Sequence, residues 1–468
     1  MKSMFTRKFF IGLSSLVFLL MSLTLGWFFF SNQDGLKAQG TAPRPLIDAP
    51  TILFALRGLD TDSSHISLSE LSERYCEGKV YVLKPIKALA DSIFKCQNTK
   101  VLDQLSDFAK LAKSHILITD INHLHNRYTA LAIDSIDYFK NPAQYPLSIM
   151  VDSLKFDYQK NISKFMHTGV TAITRNTGLM ADKNGIDFII EKVKPYFQDV
   201  DWVHISNEVS FYDNCDYAYF VPNVYRFCSK ERDFQAFIDL KVNIMELTGN
   251  HNLDFGVEGY RKTFEWYKTH KIGTFGGGLS MEEANSPLII TLKGGYQMAF
   301  LGFNESCPVA ECGRVGRPQG ANLYQSEKAR KAIAELKKNP KIAYVVASVQ
   351  FNEVDSYSPT PNQNRISREL LDFGADCVYG SQAHQVQKIE FYKNKPIFHG
   401  LGNFLFDQIH RIGVKQGYFL EHYLYKGRII QSKLIYTMIS EGRRPEIANP
   451  EDAKVIKEIV FDDELVYR

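Results

Sequence analysis

No two cysteines of this 468-residue chain stand in a CxxC spacing, which leaves no basis for a structural zinc ribbon or finger. A surplus of charge is missing too. The 55 Lys and Arg face 52 Asp and Glu, and Lys2, Arg7 and Lys8 in an acid-free N-terminal tip account for the difference. A body without net charge offers no basic field of the kind that holds nucleic acid, so that class is set aside. Internal repeats and low-complexity tracts are absent, and 30 Gly with 17 Pro exclude a collagen-like or disordered chain. What is there is ordinary globular composition, 45% hydrophobic and 23% charged, with length for two or three domains.

One long apolar run stands apart. Residues 9–30, FFIGLSSLVFLLMSLTLGWFFF, carry no charge and are long enough to cross a ~30 Å hydrocarbon layer as a helix. Basic residues precede it and Trp27 with Phe28 to Phe30 closes it, which places the tip in the cytoplasm and the body outside. The run exceeds the ~7–15 apolar residues of a cleaved signal, so a single-pass anchor in the cell membrane is expected, or secretion if the segment is removed. Cysteine usage agrees with that compartment. Cys76 and Cys96, Cys215 and Cys228, and Cys307 and Cys312 are local pairs expected to form disulfides where oxidation is permitted. Cys377, in the apolar run ADCVYG, is read as a small buried hydrophobe.

The chain divides into a tip and anchor or signal (1–30), a linker (31–50), an N-terminal α/β domain of unassigned role (51–150), a larger domain (151–440) and a tail (441–468). In the first domain TILFAL and HILITD read as strands, and KPIKALADSIF and KVLDQLSDFAKLAKS as helices. From 155 to 440 strands and helices alternate, which predicts a layered α/β core with its site in loops at the strand ends. Asp254 is expected to cap a helix whose Val257, Tyr260, Phe264 and Tyr267 share one face.

Four of those loops are rich in polar residues. GNHNLDFG (249–256) follows a strand and offers the Asn250 carbonyl oxygen to a metal and the His251 imidazole to a leaving group. HISNEVS places Asn207 and Glu208 after another strand, GSQAHQVQ (380–387) carries Gln382 and His384, and GLGNFLFD (400–407) carries Asn403. Each alone is ordinary turn chemistry; together they point to one shared site.

With these motifs in this order, residues 165–408 resemble the CapA family of poly-gamma-glutamate capsule biosynthesis proteins, which have a calcineurin-like metallophosphatase fold. The resemblance is carried by HISNEVSFYDNC, ELTGNHNLDFGVEGYRKTFEWY, GTFGGG, SVQFNE, GADCVYGSQAHQVQKIEFY and GLGNF. It implies a metallophosphatase-like α/β sandwich preceded by a smaller α/β domain and a transmembrane helix. It also implies His251 as a general acid, Glu208, Asn250 and His384 as metal ligands, and Asn207, Gln350, Gln382 and Asn403 around the substrate. The chain departs from the family pattern where Val170 follows Gly169 in place of an Asp, where Gln350-Phe351 replaces His-Trp, and where Gln382 replaces a His. The remaining oxygen-rich donors suit one divalent ion, Mn or Mg, better than zinc.

Three functions follow. One is a membrane-anchored, extracytoplasmic, metal-dependent hydrolase acting on an anionic cell-surface polymer or its precursor, in synthesis, export or attachment. The second keeps the fold but has lost the metal, and binds polymer or scaffolds envelope proteins. The third, a solute-binding protein, rests only on the α/β texture of residues 51–150.

Overall fold

The computed structural model describes residues 51–61, 64–149, 158–218, 225–307 and 311–461; the run over 9–30 and the linker over 31–50 lie outside them. Among the described residues no helix is long and apolar enough to cross a membrane. The protein is of mixed α/β class, with a six-stranded sheet in the N-terminal part followed in the chain by a seven-stranded and a second six-stranded sheet.

The first sheet has the order Lys100–Leu102, Val80–Leu83, Ile116–Asp120, Thr51–Gly58, Tyr128–Ala130, with Ser148–Ile149 paired to the start of Thr51–Gly58. Strand Thr51–Gly58 is almost wholly buried, as a central strand of continuous apolar character should be. Helices Leu68–Cys76 and Lys87–Phe94 flank the sheet, with Tyr75 stacked on Phe94 at 4.5 Å and Cys76 bonded to Cys96 beside them. The helix expected over KVLDQLSDFAKLAKS does not form. Lys100–Leu102 pairs instead with the edge of Val80–Leu83, and Gln104 and Asp107 close a capping box that starts a single 3-10 turn, Leu105–Phe108. Sheet pairing and a local cap have overridden an apolar spacing that suits a helix.

The core of this region continues into Tyr158, Ile162, Tyr423, Tyr425 and Ile430. Polar contacts reinforce the junction: Gln431 Oε1 accepts from the Ala130 amide at 3.0 Å, and Lys433 pairs with Asp137.

The second sheet runs Gly273–Phe275, Ile244–Glu246, Trp202–Asn207, Ile162–Thr171, Gln416–Tyr425, Arg428–Ile439, Pro445–Ile447. Its first four strands are parallel and the rest antiparallel. The third runs Leu288–Thr291, Gln297–Asn304, Ile342–Gln350, Cys377–Ser381, Lys395–Phe398, Ile389–Tyr392, with a parallel centre and an antiparallel strand at each edge. The sheets share one apolar layer, in which Phe165, Ile244 and Phe275 meet Phe300, Val346 and Tyr379.

Alternate residues face outward. Met166, Val203 and Met245 pack on Phe234, Phe237, Tyr260 and Tyr267, while Val345, Ala347 and Val349 pack on Ile333, Ile366 and Leu370. Helices therefore cover both outer faces, including Gly256–Thr269 on one side and Ser326–Lys338 and Pro361–Asp372 on the other. The result is a helix, sheet, sheet, helix stack. Free Cys377 is fully buried in the layer between the sheets.

A polar seam runs through that layer. The His167 ring lies between His204 at 3.9 Å and Tyr379 at 3.6 Å, His204 Nε2 faces Glu246 Oε2 at 3.1 Å, and Tyr379 Oη meets His422 Nε2 at 2.8 Å. Burial holds His167 well below its ordinary pKa and brings His422 down to about 3, so both are neutral at physiological pH. His204 and His399, close in sequence to the polar motifs, are core residues that face Glu246 and Glu390.

Candidate functional site

Parallel strands deliver their C-terminal ends to one side of a sheet, and here the ends of Trp202–Asn207, Ile244–Glu246, Ile342–Gln350 and Cys377–Ser381 meet across the two sheets. The join is direct. Gln350 Nε2 donates to Asn250 Oδ1 at 2.8 Å and to Gln382 Oε1 at 2.6 Å, and Asn304 Nδ2 donates to the Thr248 carbonyl at 2.8 Å. Close approach requires glycine at Gly249, where a Cβ would lie 2.6 Å from the Glu208 Cα. The loop through Gln382 and His384 takes left-handed backbone at both residues, φ 81° and 52°.

Glu208 is the centre of this group. It is buried, its Oε1 has no hydrogen-bond partner, and burial raises its pKa while the imidazoles of His384 and His251 pull it back. Each imidazole is oriented from behind. His384 Nδ1 lies 2.8 Å from Asn403 Oδ1, and Asn403 spends its amide hydrogens on the Val414 carbonyl at 3.0 Å and Gln408 Oε1 at 3.1 Å. The network therefore assigns the proton to Nδ1 and leaves Nε2 of His384 with a lone pair.

His251 Nδ1 lies 2.9 Å from Asp254 Oδ2. Burial opposes protonation of His251, but the Asp254 hydrogen bond and the charges of Asp254, Glu208 and Glu311 outweigh it, and its pKa stands above the usual value.

Asp254 does not cap the helix as expected. Gly256–Thr269 begins after Phe255 without a side-chain cap, and the Asp254 carboxylate serves His251 and the Phe227 amide, the latter at 2.6 Å. Of the face expected on that helix, Tyr260 and Tyr267 are buried, Phe264 is half-buried and Val257 is exposed.

Six of the eight expected site residues, Glu208, Asn250, His251, Gln350, Gln382 and His384, are linked by these contacts and charges, and Asn403 supports the last. Asn207 turns away: its Nδ2 donates to the Val209 carbonyl at 2.7 Å and to Tyr267 Oη at 2.8 Å, tying the strand end to the helix.

Three further residues of the site, Asp254 among them, are not marked as functional by the sequence. Asp254 follows His251 by three positions, a spacing that could have suggested a partner. Arg175 opens the helix Arg175–Asn184 that follows strand Ile162–Thr171, pairs with Asp407 and lies 4.5 Å from the Phe227 ring, which in turn meets the His251 ring at 4.5 Å. Glu311 gave no signal beyond standing next to Cys312 of the Cys307–Cys312 disulfide; burial and Asp254 push it up to about 7 against the pull of His251.

The donors can be tested against a divalent ion. Val170, where a bridging carboxylate was sought, packs with Ala172, Val209 and Phe406, and among the described residues no three His, Cys, Asp or Glu come together as ligands. A two-ion centre does not fit. One ion does: Glu208 Oε1 is unpartnered, His384 Nε2 is free to coordinate, and the Asn250 carbonyl keeps a second lone pair beside its bond to Gln350.

A layered α/β body whose strand-end loops carry two backed imidazoles around a buried carboxylate defines the class of protein. Residues 164–408 match the family described as bacterial capsule synthesis protein PGA_cap, and the chain belongs to that family. Similar proteins include capsule biosynthesis protein CapA of Bacillus anthracis, 25% identical over 50% of this chain and 57% of that protein. PGA biosynthesis protein CapA of Bacillus subtilis (strain 168) is 27% identical over 54% of this chain and 65% of its own length. A probable polyglutamine synthesis accessory protein of Mycobacterium tuberculosis is 26% identical over 37% and 47%. The chain thus spans about half to two thirds of the length of these relatives.

Proposed function

We propose that this protein acts outside the cytoplasm in the synthesis, export or attachment of an acidic cell-surface polymer of the poly-gamma-glutamate kind, as a hydrolase-type enzyme of metallophosphatase-like fold. The observation that carries the reading is the buried Glu208 carboxylate, with one oxygen unpartnered, acting on His251 and His384, each oriented by its own hydrogen-bonded side chain. The names of the relatives supply the polymer, and the three disulfides, Cys76–Cys96, Cys215–Cys228 and Cys307–Cys312, support an oxidising compartment. The apolar run over 9–30 would anchor the body to the membrane.

In this reading protonated His251, held by Asp254, gives its proton to the leaving group. Gln350 Oε1, buried and without a partner, accepts a hydrogen bond from the substrate, and Gln382 fixes the Gln350 amide that makes this possible. Asn403 keeps His384 in one tautomer. A Mn or Mg ion, held by Glu208, Asn250 and His384, would supply Lewis-acid polarisation of a phosphoryl or carbonyl oxygen.

The test is turnover of gamma-linked glutamate oligomers and of phosphomonoesters by the wild type and by His251→Ala, with folding checked by circular dichroism. Loss of ~10²–10⁴ in rate is expected for a general acid. An unchanged rate overturns the reading.

A second reading, a polymer-binding protein without catalysis, is favoured by one feature: Gln350 already engages the oxygens of both Asn250 and Gln382. Metal content after dialysis against manganese separates the two. Ion retained by the wild type and lost in His384→Ala supports the first, and no ion in either supports the second.

A further inference from the structure

A cavity of about 1000 Å³ opens beside the Phe227 ring, lined by residues 174–176, by 216–218 and 225–228 on either side of the Cys215–Cys228 bridge, and by the segment from Asp407 to His410. Its volume is that of a large ligand site rather than of a packing defect. Three arginines line it, Arg175, Arg226 and Arg443, and no lysine does. Arg175 is neutralised by Asp407. Arg226 and Arg443 are not: the first donates through Nε at 2.8 Å and through Nη2 to the Asp254 carbonyl, which leaves its Nη1 side open, the second donates through Nη1 to the Asp407 carbonyl at 2.9 Å, and among the described residues neither has a carboxylate partner. Asp216, the other acid of the lining, spends Oδ1 on the Ala218 amide at 2.9 Å.

Two features show that this lining is held in place. Arg175 and Arg443 both take left-handed backbone, φ 45° and 55°, a conformation non-glycine residues avoid unless the surroundings impose it. The Arg443 carbonyl is in turn held by Thr177 Oγ1 at 3.1 Å. The cavity wall touches the site at two points: Arg226 grips the main chain of the same Asp254 whose carboxylate orients His251, and the Phe227 ring of the wall meets the His251 ring at 4.5 Å. Aromatic rings of Tyr217, Tyr225 and Phe227 form much of the remaining wall, suited to the methylene and amide surface of a chain between its charges.

We propose that this cavity is a binding subsite for a chain bearing successive carboxylates, with Arg226 and Arg443 each taking one carboxylate so that the adjoining linkage lies at His251. Guanidinium groups match carboxylates in planar, two-bonded pairs, and two such donors in one large aromatic-lined cavity favour a carboxylate-bearing chain over a single compact anion. The proposal rests on the reading of His251 as part of a reacting centre.

The test is calorimetric binding to the full chain of three probes: a gamma-linked glutamate pentamer, an alpha-linked glutamate pentamer and a glutamine pentamer. The variants are Arg443→Gln, Arg226→Gln, the double variant and His251→Ala. Glutamate oligomers should bind and the glutamine oligomer should not. Each single arginine change should weaken binding about tenfold, and the double change at least about 30-fold, as expected for charge-assisted hydrogen bonds. The two glutamate linkages tell which backbone the wall accepts, and binding of either supports the subsite.

Arg443→Gln leaves the Asp254 contacts untouched, so it remains informative if Arg226→Gln disturbs folding. Equal affinity in wild type and double variant, no glutamate binding to the wild type, or equal binding of the glutamine pentamer would each overturn the proposal. The two failures are separable. Arginine-dependent binding with a rate indifferent to His251→Ala removes the enzyme and leaves the subsite, whereas a rate lost in His251→Ala with arginine-independent binding does the reverse.

Discussion

Gln350 and Gln382 are joined side chain to side chain, Nε2 to Oε1 at 2.6 Å, at the two positions where the family resemblance leads one to look for imidazoles. An amide pair can satisfy itself in this way, whereas two imidazoles facing one another would compete for a proton or share a metal. The substitution therefore exchanges ligand strength for an amide-to-amide hydrogen bond that leaves Gln350 Oε1 open. Restoring the imidazoles should reverse the exchange. The variant Gln350→His, Gln382→His is expected to bind Mn at least ~10-fold more tightly than the wild type, the usual scale for a change in the metal's immediate surroundings. Isothermal titration would show it, and equal affinity would mean that the Val170 position, not the amides, limits the site.

Asp254 controls the proton on His251. Asp254→Asn keeps an oxygen for one hydrogen bond but removes the charge that holds the imidazolium, so the His251 pKa should fall. The alkaline limb of the activity profile should shift to lower pH by the same amount. A limb that does not move would assign it to another group.

Much of this was open to inspection in the sequence, and the part that was not has a physical reason. Strands such as TILFAL and KIAYVVASVQ are long apolar runs bounded by turn residues, and they form where their pattern places them. Lys100–Leu102 was misread because its spacing satisfies a helix as well as a strand, and only the open edge of Val80–Leu83 decides between them. Asp254 looked like a cap because capping and imidazole orientation ask for the same short carboxylate just before a helix. Glu311 and Arg443 reach the His251 neighbourhood from segments 60 or more residues away, and nothing local announces them.

Glu311 should leave a mark on stability. Its pKa is raised in the fold from 4.5 to about 7, so the folded state holds the proton more tightly than the unfolded chain. Between those values stability falls as pH rises, because the native protein must give up a proton it favours. Glu311→Gln removes this penalty. The variant should gain stability over the wild type above pH 7, and the gain should close below pH 4.5. Urea denaturation at pH 4 and pH 8 checks the sign, and a gain confined to acid pH would refute it.

The Cys215–Cys228 bridge joins residues 13 positions apart, and Cys228 lies in the wall of the arginine-lined cavity. A closed loop of this size restricts the unfolded chain by about 3 kcal/mol. Changing both cysteines to serine should lower the melting temperature accordingly and, because the loop carries Arg226 and Tyr217, weaken glutamate-oligomer binding more than it slows turnover of a small phosphomonoester. The corresponding change of Cys76 and Cys96, bonded beside the first sheet and remote in the chain from that wall, should lower stability and leave oligomer affinity as it was. Equal loss of affinity from both pairs would mean that the bridges act only through global stability; a loss confined to Cys215 and Cys228 ties the bridge to the shape of the cavity.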